Sequence, residues 1–134
     1  RIWVDGVQDA TADGPDGDVS YPDDGTPMSV CPDGLCDYSD PFLVFGAEKH
    51  GYEGISYRGL LDEVRVSTTL RYEASFPAPV APFAADGFTV GLYHFDEGAG
   101  LVAADASGAG ADQSGELVRG GDPEGPDWDV DSPF

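Results

Sequence analysis

Residues 57–67 read YRGLLDEVRVS, and the fold turns on how that stretch is understood. Branched aliphatics and an alternating pattern point to a strand. In a strand, successive side chains face opposite sides, so Leu60, Asp62, Val64 and Val66 share one face and Leu61, Glu63 and Arg65 the other. Asp62 then lies on the valine face. A carboxylate there must be hydrogen-bonded, bind a metal, or sit where the strand leaves the core. Glu63 and Arg65, two apart on the second face, can pair with each other or with a ligand.

Adjacent residues that point to opposite faces cannot flank one scissile bond, because a glycosidase needs two carboxyls facing one cleft about 5–9 Å apart. Asp127, Asp129 and Asp131 alternate in DWDVD, but Pro126 and Pro133 bracket them and mark an exposed edge. The chain also has no G-x-S-x-G elbow, phosphate loop or H-E-x-x-H helix. A non-enzyme is the expectation.

Working outward, the N-terminal RIWVDGV opens as a hairpin with Asp5-Gly6 at the two positive-φ positions of a type I′ turn. Residues 11–41 form an acidic, Gly- and Pro-rich insertion with room for one short strand near 28–30. FLVFGA (42–47) reads as a buried strand ending at a glycine, and residues 68–75 as a turn or short helix. FTVGLYHF (88–95) and ELVR (116–119) are further strands, with one short strand between them and an extended tail over 120–134. The 19 glycines and 11 prolines in 134 residues, without helical periodicity, fit many short strands joined by turns. One all-β domain over 1–134 is expected.

The formal charge is −20, from 26 acids against 6 bases. Such a surface repels phosphate backbones, which excludes nucleic acid as a partner. No apolar run is long enough to span a membrane as a helix. There is no signal peptide and no initiator methionine, so the expectation is a processed chain or part of a longer one. Asp outnumbers Glu by 19 to 7. Asp suits turns, and it also suits hard cations such as calcium. The two cysteines, Cys31 and Cys36, bracket Pro-Asp-Gly-Leu in CPDGLC. A tight turn there would bring the thiols together as a disulfide and imply an oxidising compartment; two free thiols are the alternative.

Three blocks together carry a family resemblance: RIWVDGV, the glycine-ended FLVFGA, and YRGLLDEVRVSTTLRY. They resemble the C-terminal half of a bacterial laminin-G-like domain of the concanavalin-A-like superfamily. VGLYHFDEGAGLVAADASGAGADQSGELVRGG, followed by Asp127-Trp128, is similar to a segment that usually opens such a domain. Here it follows the DEVR strand, as in a circular permutation, a repeat junction or a C-terminal extension. The strands normally ahead of the hairpin are absent, and the 11–41 insertion is longer than usual.

The resemblance implies an antiparallel jelly-roll sandwich, incomplete in this chain. It also implies a structural calcium at the sandwich rim, for which the matching positions are Asp62, Asp105 and Ser107, with Asp112 close by. The alternative is that Asp105 closes a plain Asx turn and Asp62 bonds backbone amides. Related domains hold sugars on flat aromatics, which nominates Trp3, Tyr52 and Tyr57 as ligand-binding residues. The absence of asparagine removes one common sugar-bonding side chain. Trp3 and Tyr93 also suit sheet packing, and His94, between Tyr93 and Phe95, suits a packed, hydrogen-bonded role.

Two functions follow. The first is an extracellular or cell-surface binding module, calcium-stabilised, that recognises a glycan or a surface protein. The second is a structural subunit or piece of an adhesin that self-assembles or is completed by strands from elsewhere.

Overall fold

The computed structural model describes residues 1–13, 43–46, 57–110, 113–118 and 125–130. Among them the regular elements are all strands: β1 (Ile2–Val4), β2 (Val7–Ala10), β3 (Val64–Ser67), β4 (Thr89–Tyr93), β5 (Val102–Ala103) and β6 (Gly115–Glu116). No helix occurs among these residues, so none is long and apolar enough to cross a membrane. The strands pair in sequence order as three two-stranded antiparallel sheets. The chain divides into two units, residues 1–13 with 60–134 and residues 14–59. All six strands belong to the first.

The β1–β2 hairpin forms for the local reason expected. Val4 faces Val7 across a two-residue loop, and Asp5 and Gly6 have φ of 50° and 76°, the left-handed values a type I′ turn needs. Gly6 is required for a second reason. A Cβ there would lie 1.8 Å from the Phe76 carbonyl oxygen, and the Phe76 N–H donates to the Gly6 carbonyl at 2.9 Å. Residues 72–76 therefore dock against the turn, with Trp3 edge-on to the Phe76 ring at 5.8 Å and Tyr72 stacked on it. Residues 68–75 form no helix; a bend at 73–74 leads into this docked segment.

In the second sheet Val64 faces Tyr93, Arg65 faces Leu92 and Val66 faces Gly91, with a bulge before Ser67. Leu92 is the largest side chain fully out of water, and Ala103 is the other buried hydrophobic among the described residues. A side-chain clasp holds the far end of this sheet. The Arg71 guanidinium donates to both oxygens of Asp86 at 2.6 and 2.8 Å and to the Ser67 hydroxyl at 2.9 Å. Asp86 in turn accepts from the Phe88 amide and the buried Thr89 hydroxyl. β5 and β6 form the smallest sheet, and Trp128 ties the tail to the loop before β5 through its indole N–H on the Gly100 carbonyl at 2.8 Å.

Two expectations change. Strand β3 begins at Val64, not near residue 57, because Glu63 adopts a left-handed φ of 53° that ends the extended run. The alternation inferred across residues 60–63 therefore does not continue into β3. In the 14–59 unit, residues 43–46 of the expected buried strand are not a strand. Leu43 is 66% exposed, and Gly46, at φ 83°, turns the chain so that its carbonyl accepts the Tyr57 amide at 2.7 Å. Four apolar letters ending at a glycine suit a turn as well as a strand.

Candidate functional site

The most organised polar site lies at the open end of the β3–β4 sheet. Just beyond the last cross-strand pair, Val64 with Tyr93, both chains leave the ladder through non-glycine residues in the left-handed region: Glu63 at φ 53° and Phe95 at φ 57°. Each such residue costs about 1–2 kcal/mol, so the surroundings must hold it. What holds Glu63 is visible. Its Oε1 lies 2.6 Å from His94 Nδ1, and its Oε2 accepts the Phe83 amide at 2.7 Å. The Glu63 side chain is 9% exposed and that of His94 is 27% exposed. With the neutral imidazole donating from Nδ1, Nε2 is left as the ring's acceptor.

One carboxylate thus ties together β3, the residue after β4 and the proline-punctuated segment that contains Phe83. Arg65 does not pair with Glu63; its guanidinium lies over the Phe83 ring, 4.3 Å from the centroid, as a cation–π contact. Phe83 is therefore gripped twice, by its backbone through Glu63 and by its ring through Arg65. A carboxylate-oriented imidazole could take part in proton transfer. Here both Glu63 oxygens are engaged by protein donors, the His94 ring and the Phe83 amide.

Asp105 and Ser107 are brought together. Asp105 Oδ1 accepts the Leu92 amide at 3.0 Å and the Ser107 amide at 2.9 Å, while Oδ2 accepts the Ser107 hydroxyl at 2.8 Å. Burial pushes the Asp105 carboxyl up, but the amides of Ser107, Leu92 and Gln113 and the Ser107 hydroxyl outweigh it, so its pKa lies below the usual value. These four donors match the four or so lone-pair sites of a carboxylate. A calcium ion would have to displace one of them, so the residues as arranged do not fit that ion's oxygen shell. They form an Asx turn, extended by the Ala109 amide donating to the Ser107 hydroxyl at 3.2 Å. Among the described residues no group of three or more His, Cys, Asp or Glu side chains is placed to hold a metal. Asp62 makes an interaction of its own, and Asp112 lies outside the described residues.

Of the aromatic candidates, Trp3 is half-buried against Phe76 and does not present a free platform. Tyr57 is 59% exposed, with its ring folded over Gly59, where a Cβ would meet the phenol oxygen at 2.5 Å. Tyr52, Cys31 and Cys36 lie outside the described residues.

Sequence reasoning missed three partnerships: Glu63 with His94, Arg71 with Asp86, and Asp105 with the Leu92 amide. They span 31, 15 and 13 residues respectively. The only local signal was Asp86-Gly87 ahead of a β-rich run, which marks a turn without naming the arginine. No protein-family model, curated protein or solved structure matches the chain.

Proposed function

We propose that this chain is a non-catalytic extracellular module of an adhesin or surface assembly, whose sheets are completed by another segment or chain. The observation that carries the reading is a distribution of apolar surface. Among the described residues, only Leu92 and Ala103 are buried hydrophobics. On one face of the β1–β2 hairpin Ile2, Val4 and Val7 are 60%, 53% and 62% exposed. Scattered exposed aliphatics are ordinary, but three contiguous ones on a two-stranded sheet form a face that wants a covering layer. A groove of about 150 Å³ on the same hairpin, lined by Arg1, Ile2, Ala10, Thr11 and Ala12, extends that surface. The completed frame we propose is a concanavalin-A-like jelly roll.

Protein, not glycan, is the partner this surface favours. Sugar binding needs a flat aromatic face open to solvent, and the faces of Phe76 are shared between Trp3 and Tyr72. The test is native mass spectrometry with a hydrophobic-dye titration. Association, or dye binding that a completing partner suppresses, is expected. A monomer that melts cooperatively and binds no dye refutes the proposal.

A further inference from the structure

The two edges of the β3–β4 sheet are not alike. On the β4 edge, both backbone groups of Leu92 are taken: its N–H by Asp105 Oδ1 at 3.0 Å and its C=O by the Ala106 amide at 2.8 Å. Both therefore point away from β3, which makes Arg65–Leu92 a non-hydrogen-bonded pair. In antiparallel geometry the Arg65 N–H and C=O then point outward on the other side, along the β3 edge. No described residue bonds either group. One edge is sealed by an Asx turn, and the other has no bonding partner among the described residues.

We infer that the outer edge of β3 is a strand-addition site for an extended, basic segment of a different protein. The inference rests on the proposed function above and names the partner's chemistry. Addition there would give the Arg65 N–H and C=O their missing partners and extend a two-stranded sheet to three, the smallest with independent stability. The site is short. Glu63 turns away at one end and the bulge before Ser67 disrupts pairing at the other, so the pair of hydrogen bonds at Arg65 itself is all the edge can form. Affinity must then draw on charge. The unit that carries β3 holds seventeen Asp and Glu against four Arg, which steers a basic segment inward and repels an acidic one. A second copy of the chain is the poorer occupant, since it brings the same acidic unit and sets Arg65 near its own copy. For the same reason the basic residues of the partner belong at the ends of its strand, beside Asp62, and not opposite Arg65.

The probe is a fluorescent heptapeptide of alternating threonine and valine with a lysine at each end, compared with the same peptide ending in glutamates. Binding to the full chain is read by anisotropy at low and high salt, and the Arg65 amide is followed by hydrogen exchange. The lysine peptide is expected to bind, to weaken at least tenfold with salt, and to slow Arg65 exchange at least tenfold. Arg65→Pro removes the outward donor but leaves the ladder bonds of Val64 and Val66, and should abolish binding. Arg65→Ala keeps the donor and should bind within about threefold. If Arg65→Pro fails to fold, the exchange rate of the parent amide decides alone. Equal binding of both peptides, protection elsewhere than β3, or undiminished binding by a folded Arg65→Pro overturns the inference. So does concentration-dependent protection of Arg65 without peptide, which would make a second copy the occupant. Dye binding and association state test the parent reading separately, so the two can fail independently.

Discussion

Replacing Glu63 in two ways separates its bonds from its backbone strain. Glu63→Ala removes the acceptor for the Phe83 amide at 2.7 Å and the partner of His94 Nδ1 at 2.6 Å. With the carboxylate 9% exposed, each bond is of the charge-assisted kind. Losing both and leaving a half-buried amide unpaired should cost about 3 kcal/mol. Alanine keeps the penalty of φ 53°, whereas glycine adopts that angle freely. Glu63→Gly should thus be about 1 kcal/mol more stable than Glu63→Ala, although glycine is ordinarily the worse residue next to a strand. Urea denaturation followed by far-ultraviolet circular dichroism measures both. Nitrogen-15 chemical shifts of the His94 ring report whether Nδ1 carries the proton in the parent and loses its preference in the variants. If the alanine variant equals or exceeds the glycine variant, the left-handed assignment at residue 63 is wrong. If Glu63→Ala loses under 1 kcal/mol, the carboxylate is not the tether described here.

Three further outcomes follow from the same geometry. Gly6→Ala must move the Phe76 carbonyl, because a Cβ would sit 1.8 Å from it, and must hold alanine at φ 76°; a loss of about 3 kcal/mol is expected, and a change under 1 kcal/mol would show that residues 76–78 are not docked there. The Arg71 guanidinium, then the Phe88 amide and Thr89 hydroxyl, hold the Asp86 carboxyl well below its usual range. A depressed carboxyl stabilises the fold above its unfolded value near 4 and loses that contribution as pH falls toward the folded value. Parent and Asp86→Asn should therefore differ in melting temperature above about pH 5 and converge as pH drops below 4; a pH-independent difference refutes the clasp. Since its four donors fill the Asp105 carboxylate, removing calcium with a chelator should leave the melting temperature unchanged, while Asp105→Ala lowers it and speeds exchange of the Leu92 amide. A fall of several degrees on chelation would return a cation to that loop.

What could be read from the letters was whatever depends on near neighbours. The Asp5-Gly6 turn works because two adjacent residues must both take positive φ, and that demand is written in the dipeptide itself. The all-β class follows from glycine, proline and β-branched content for the same local reason. His94 was expected to be packed and hydrogen-bonded, and it is, but its partner lies 31 residues away. The Glu63–Arg65 pairing was the nearest available guess and gave way to Glu63 with His94 and Arg65 with Phe83. The reason is the left-handed angle at Glu63, which rotates its side chain out of the alternation, and a non-glycine residue gives little warning of that angle.

Glu63 shows how a carboxylate can belong inside a thin sheet, bonded to His94 and to the Phe83 amide. Among the described residues few aliphatics are buried, which leaves little hydrophobic energy to fix the loops between them. Carboxylates can substitute for part of that packing, because each accepts several hydrogen bonds from amides, hydroxyls or charged groups. Glu63 fixes the proline segment through Phe83, Asp86 fixes the turn before β4, and Asp105 fixes the loop that seals β4. The same three acids neither bond the Arg65 backbone groups nor cover Ile2, Val4 and Val7 of the hairpin. An exposed aliphatic hairpin face beside such polar staples is the surface on which the proposed completion by a partner rests. Mixing the basic heptapeptide with a Glu63→Gln variant examines that link directly. If strand addition supplies the missing order, the peptide should restore at least half of the stability lost by the variant through mass action. If it restores none, the staples and the open edge are independent features of the sheet.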